Sequence, residues 1–261
     1  MTIMKVNGRD VSEFFDVRQW NVEMAHGEVR NESSWEDGCV IPILIPGHFG
    51  MKKIKISVMA KGEDRDSIWE KAGRFIAEFK NPAVLELDDF SHKFKVVLTN
   101  ASQVESSMRR FHKATLELQG YEYGDVQNIE ISILQDGTLI EIPNDGTMDS
   151  LFSVKVTESR QYEYTNSVTI SEHVEENGSE HLTPIMKFNF SGVIESISFN
   201  AETGEVLYRN VSEETYKTAP LSLCEVYHIP SIPTGGMKLH VSVDGNNAGG
   251  TVTVEHTPMY L

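Results

Sequence analysis

Lys53-Ile54-Lys55-Ile56-Ser57-Val58, followed after a short acidic link by Ser67-Ile68-Trp69-Glu70-Lys71-Ala72-Gly73-Arg74-Phe75-Ile76-Ala77-Glu78-Phe79-Lys80, decides how the first half of the chain folds. In the first six residues polar and apolar side chains alternate strictly, so a strand there buries one face and wets the other. The period then changes. Ile68, Ala72, Phe75, Ile76 and Phe79 recur at helical spacing and form a single apolar stripe. Ser67 and Glu70 have the spacing of a capping box, and Asn81-Pro82 is a stop, because proline disfavours a helical residue before it. The spacing predicts a helix over 67–80 packed on a sheet.

Strand patterns surround that unit. Met4-Lys5-Val6 runs into Asn7-Gly8, a dipeptide suited to the positive-φ positions of a tight hairpin. Val17 to Met24 alternates around Trp20 and Val22, and further strands are expected at Val84–Leu87, Phe94–Leu98 and Lys113–Gln119. Gly120-Tyr121-Glu122-Tyr123-Gly124 closes the segment and sets a domain boundary, giving domains 1–125 and 126–261.

Between Gly27 and Lys52 lies an excursion of mixed character. Asn31, Glu32, Ser33, Ser34, Glu36 and Asp37 are polar, whereas Val40, Ile41, Ile43, Leu44 and Ile45 are too apolar to sit in water. Pro42 and Pro46 bar the apolar run from a central strand. This conflict predicts a hairpin or arm laid over a neighbouring subunit, with Trp35, Val40, Ile41, Ile43 and Ile45 at the interface. The competing reading is that the run covers one end of its own domain.

The second half has no helical pattern. Short strands recur with turn chemistry between them, which is the signature of a β-sandwich. Ile129–Leu134 and Leu139–Ile142 flank Gln135-Asp136-Gly137-Thr138 and read as a hairpin. Ile185–Phe190 and Val193–Phe199 flank Ser191-Gly192, and Phe199 and Val206 flank Ala201-Glu202-Thr203-Gly204-Glu205. Met237–Val243 and Thr251–Glu255 flank a loose glycine-rich loop that starts at Asp244-Gly245. Glu172 to His181 is acidic and polar, and reads as an exposed loop.

Composition narrows the function. The 261 residues suffice for two modest cores, and 39% are apolar with a mean hydropathy of −0.29. No run approaches the ~20 apolar residues of a membrane helix. The first ten residues lack the basic head and apolar segment of a secretory signal, so folding in the cytoplasm is expected. Cys39 and Cys224 are far apart and fit neither a disulfide scaffold nor a zinc site. A formal charge of −16 repels phosphate backbones and disfavours nucleic-acid binding.

Catalytic signatures are absent from the sequence: it contains no GxSxG, HExxH, GxxxxGK[ST] or GxGxxG. His173 and His181 lie near Glu175, Glu176 and Glu180, but a polar loop with two histidines is commonly structureless rather than a metal site. Asp88-Asp89 resembles a carboxylate pair, yet adjacent turn residues do not flank one bond from opposite sides. No catalytic residue, cofactor or metal is expected. The alternative from another class is a carbohydrate-binding, lectin-like sandwich. Sugars stack on exposed aromatic faces, and Trp20, Trp35 and Trp69 all lie in the first half, which weighs against it.

Val6-Asn7-Gly8-Arg9-Asp10-Val11, the strand Ile54–Val58 leading through Gly62-Glu63-Asp64 into the helix, and Phe111–Leu118 with Tyr121-Glu122-Tyr123-Gly124 resemble, in order and spacing, the distal tail protein family of long-tailed, non-contractile bacteriophages. Thr183-Pro184-Ile185, Ile194–Asn200 with Thr203-Gly204, Ile232-Pro233-Thr234-Gly235-Gly236 and Thr251–Leu261 continue the resemblance to the end of the chain. The resemblance implies a mainly β protein: a small, barrel-like N-terminal α+β domain with one helix, then a galectin-like antiparallel β-sandwich. It implies a non-enzymatic structural protein of the virion tail tip, assembled in the bacterial cytoplasm. The first domain would close a homohexameric ring continuing the major tail tube protein and facing a tail-associated tip protein. The sandwich would offer a docking surface for baseplate or receptor-binding proteins. DNA would pass through the lumen without specific binding, and the acidic charge would line that lumen; no membrane is implied.

Overall fold

The computed structural model describes residues 4–14, 16–26, 32–34, 43–45, 50–61, 63–105, 111–133, 137–158, 165–176, 178–190, 193–245 and 250–260. The chain divides into two compact units, Met1–Gly124 with Tyr260–Leu261, and Asp125–Met259.

Among its described residues the first unit holds one large antiparallel sheet, a separate two-stranded ribbon and one α-helix. Across the sheet the strands run Arg9–Asp10, Met4–Val6, Ala83–Leu87, Lys93–Glu105, Phe111–Tyr123, Lys52–Lys61 and Asp16–Ala25. The alternation at Lys53–Val58 does what its period requires: Ile54, Ile56 and Val58 are buried, and their partners Leu118, Leu116 and Ala114 are buried opposite them. Helix Arg65–Ala77 lays Ile68, Ala72 and Phe75 into this layer, with Phe79 just beyond its end. Phe75 is fully enclosed, 5.6 Å from Phe14 and 5.5 Å edge-on to Phe79. Burying a ring of that size contributes roughly 2–3 kcal/mol.

The helix starts earlier than its apolar stripe suggested. Asp64, not Ser67, is the N-cap: its carboxylate accepts from the Ser67 N–H at 2.7 Å, while the Ser67 hydroxyl donates to the Asp64 carbonyl at 3.1 Å. An aspartate cap satisfies the same orphan donor, which leaves Glu70 to pair with Arg74. The Asn7-Gly8 turn forms with φ of 52° and 78°. Asn7 then secures it to its neighbours, accepting from Val84 N–H at 2.9 Å and donating to the Glu78 carbonyl at 3.1 Å, next to the Arg9–Glu78 ion pair at 2.7 Å.

The second unit is a sandwich of two antiparallel sheets. One runs Gln127–Ile133, Gly250–His256, Ser150–Glu158, Ile194–Phe199, Val206–Asn210, Lys217–Thr218, with Ser231–Ile232 also on Ser150–Glu158. The other runs Thr138–Ile142, Met237–Gly245, Thr165–Glu176, Ser179–Asn189, Cys224–Val226. Phe152, Val154, Val156, Ile197, Val252 and Val254 from the first sheet pack in one core with Val168, Ile170, Met186, Phe188, Leu239 and Val241 from the second.

Three of the expected turns do not make hairpins. The strands on either side of 134–137, of 190–193 and of 246–249 belong to different sheets, so each connection crosses the sandwich. The turn at Asn200–Glu205 does make one: Phe199 pairs with Val206, and the Asn200 side chain accepts from the Glu202 and Thr203 N–H groups. The polar stretch at 172–181 is not a loop. Glu172–Glu176 pairs with Ser179–Thr183 as a β-ribbon whose second strand is exposed on both faces from Ser179 to Pro184, so no alternation marks it.

The C-terminus returns to the first unit. The Tyr260 ring stacks on His92 at 4.0 Å and 12°, and His92 Nδ1 lies 2.7 Å from the Glu122 carboxylate, which also pairs with Lys52. A fragment of residues 125–259 is therefore expected to unfold in one cooperative transition on its own. Residues 1–124 alone should melt below the first unit of the full chain, by the few degrees that about 1 kcal/mol of lost aromatic contact represents. Calorimetry of both fragments beside the full chain checks this; equal midpoints for the first unit with and without Tyr260 would contradict it.

Candidate functional site

The described side chains offer little for chemistry. Ser150 and His256 are brought together by adjacent strands, Oγ to Nδ1 at 3.3 Å, but they are 0% and 2% exposed, so no substrate reaches the hydroxyl. Asn144 is buried too, and its amide donates to the carbonyls of Met148 and Ile232 at 3.0 Å. Asn144 also accepts from the Gly146 N–H at 3.0 Å. Its role is to satisfy irregular backbone where strands end. Burial pushes the His256 pKa down, partly offset by the Asp145 charge. The unfolded chain binds this proton near pH 6.5 while the folded chain resists it, so stability falls as pH drops below about 6.5. The second unit should therefore melt lower at about pH 5.5 than at pH 7.5, with the difference reduced in His256→Gln. An unchanged pH slope in that variant would assign the effect to other groups.

His173 and His181 do not converge. His173 pairs with Leu182 and His181 with Val174, so they occupy neighbouring rungs and face opposite sides of the ribbon. Among the described residues no three His, Cys, Asp or Glu side chains are grouped to hold a metal. Asp88 and Asp89 are exposed in the turn that follows Ala83–Leu87, closed by Phe90 N–H to the Leu87 carbonyl at 2.9 Å. Cys224 is buried, and desolvation raises its thiol to about 11, which makes it unreactive. No described helix is long and apolar enough to cross a membrane.

The surfaces are more informative. Strand Asp16–Ala25, ten residues long, is the last of its sheet: one edge pairs with Lys52–Lys61, and among the described residues no strand pairs with the other. Such an edge is an open row of backbone donors and acceptors. The chain then enters the excursion, where Glu32–Ser34 pairs with Ile43–Ile45 as a two-stranded ribbon separate from the main sheet. Trp35, Val40 and Ile41 lie outside the described residues.

Charge is unevenly divided. The first unit carries 17 Lys and Arg against 19 Asp and Glu, and the second 6 against 20, so the second holds 14 of the 16 net negative charges. The acidity of the chain is thus mainly that of the second unit. The first unit is nearly neutral, and its wet sheet face mixes Lys55 with Glu23 and Glu117 on facing rungs. Sequence reading treated the charge as a property of the whole chain; once a boundary near 124 is drawn, the asymmetry can be counted directly.

A curled antiparallel sheet with one helix, followed by a two-sheet antiparallel sandwich, is the fold of phage tail hub and distal tail proteins. The Dit protein of phage SPP1, described as a paradigm of the hub adsorption apparatus in phages infecting Gram-positive bacteria, matches over 100% of both chains with a TM-score of 0.68 at 10% identity. A chain of the phage p2 baseplate in its activated conformation with Sr matches with a TM-score of 0.55 at 12% identity, over 97% of this chain and 98% of that one. The p2 baseplate with Ca matches with a TM-score of 0.54 at 12% identity, over 99% and 98%. No protein-family model and no curated protein matches the sequence. What is shared at these identities is the fold.

Proposed function

We propose that the chain is a structural component of a phage tail tip: a distal tail protein whose first unit forms a homohexameric ring and whose sandwich docks other tail components. The observation that carries this reading is the end-to-end match to the SPP1 hub protein, covering both units in the same order. The unpaired edge at Asp16–Ala25, running into the ribbon with Ile43–Ile45, supports ring closure. In a closed ring each copy covers what its neighbour leaves open, and heterologous contacts need no second kind of subunit. Trp35, Val40, Ile41, Ile43 and Ile45 are the proposed interface residues.

In this reading the ring sits between the major tail tube protein and a tail-associated tip protein in the virion. DNA passes through the lumen of a ring built from the nearly neutral first unit, without base-specific contacts, and the acidic sandwich meets baseplate or receptor-binding proteins. The proposed role is assembly rather than catalysis, in keeping with the inaccessible Ser150–His256 pair. The test is the mass of the purified full chain in solution, together with electron microscopy. Six copies in six-fold rings are expected; a monodisperse monomer at tens of micromolar, with no ring in any image, would refute the ring.

A further inference from the structure

After Cys224–Val226 the chain leaves the edge of the five-stranded sheet and reaches the other sheet at Ser231–Ile232. This strap is fixed at both ends. The Tyr227 N–H donates to the Ile185 carbonyl at 2.8 Å, and the Pro230 carbonyl accepts from the Phe152 N–H at 3.1 Å. Cys224, Pro230 and Ile232 turn inward, whereas every residue from Glu225 to Ile229 is exposed. Three of those five are large and apolar: Val226 is 44% exposed, Tyr227 48% and Ile229 78%, the highest value of any large apolar residue described. An apolar row held outward by backbone hydrogen bonds is preorganised, so little ordering entropy remains to be lost on binding.

Charge indicates what covers it. The strip starts at Glu225, which accepts from the Tyr227 hydroxyl at 2.8 Å, and past its far end Asp149 accepts from the Thr234 N–H at 3.2 Å. The unit as a whole has 20 acidic against 6 basic residues. Lys187 pairs opposite Glu225, but a second copy of the unit would bring a net charge of −14 onto −14. We infer that the Glu225–Ile229 strap is a docking surface for a protein segment whose apolar residues are flanked by lysine or arginine. This rests on the docking reading of the sandwich and gives it a location and a chemistry. Apolar contact with the strap supplies the affinity; the flanking cations supply orientation and encounter rate.

The probe is a short synthetic peptide of alternating isoleucine and serine with paired lysines at each end, titrated against the full chain beside a glutamate-ended counterpart. The lysine-ended peptide should bind and weaken about tenfold between low and high salt, and the glutamate-ended one should not bind. The double variant Val226→Ser/Ile229→Ser should lose about tenfold or more in affinity with an unchanged melting temperature. Glu225→Gln, which keeps the apolar strip, should reduce only the salt-sensitive part. Absence of binding, equal binding of both peptides, or binding unaffected by the double variant would overturn the assignment. Self-association of the wild type that the double variant abolishes would give the strip to a second copy instead. Six-fold rings without peptide binding would remove the strap and leave the tail reading standing. Strap-dependent binding by a chain that never forms rings would do the reverse.

Discussion

Gly120→Ala should lower the midpoint of the first unit's unfolding transition by more than about 10 °C and leave that of the sandwich in place. Gly120 pairs with Val96 on one side and Lys52 on the other, inside the sheet. A Cβ there would lie 2.1 Å from the Lys95 carbonyl oxygen and 2.8 Å from the Val96 Cα, both backbone atoms with no rotamer to change. The neighbouring strand can yield only by breaking ladder hydrogen bonds. Overpacking of this severity belongs at or above the upper end of the usual range, roughly 3 kcal/mol or more. For a unit of this size that lowers the midpoint by more than about 10 °C. Calorimetry should resolve the two transitions; a first transition within a few degrees of wild type would mean that the strands separate there at little cost.

Ile43→Asp combined with Ile45→Asp should convert rings to folded monomers. A lone two-stranded ribbon is marginally stable in water, so Glu32–Ser34 with Ile43–Ile45 needs a surface to lie against. The two substitutions put two charges into a three-residue strand, and burying an unpaired carboxylate at an interface costs several kcal/mol. The described core of the first unit is built from other strands and the helix, so its melting temperature should stay within a few degrees of wild type. Mass in solution and thermal unfolding separate the outcomes. An unfolded double variant would make the segment part of its own core, and a persisting ring would put the interface elsewhere.

Part of this architecture is legible in the residues alone because the forces are local. The two-residue period at Lys53–Val58 dictates which side chains enter the core, and the change of period at Ile68 dictates a helix. Asn7-Gly8 can adopt backbone angles that most dipeptides resist. Fold class follows from such patterns, since each depends on neighbours a few positions away.

Pairing is another matter. The glycine-bearing links at 134–137, 190–193 and 246–249 have turn chemistry whether the next strand joins the same sheet or crosses to the opposite one. The choice depends on which distant edge offers partners and which face needs cover. Glu172–Thr183 shows no alternation because its second strand is wet on both faces, so ladder hydrogen bonds rather than burial make it a ribbon. The helix is capped at Asp64 because that carboxylate can reach Ser67, four residues ahead of Ile68, the first apolar residue of the stripe. Tyr260 belongs with the first unit because its ring stacks on His92, whose imidazole the Glu122 carboxylate holds. Nothing in the spacing of Glu225–Ile229 marks it; backbone hydrogen bonds at Tyr227 and Pro230 hold those side chains in solvent. By itself the sequence determined the periods, the Asn7-Gly8 turn, the stop after the helix and the total charge. Tertiary structure decided which strands meet and which apolar residues stay outside, because those outcomes depend on contacts between residues far apart in the chain.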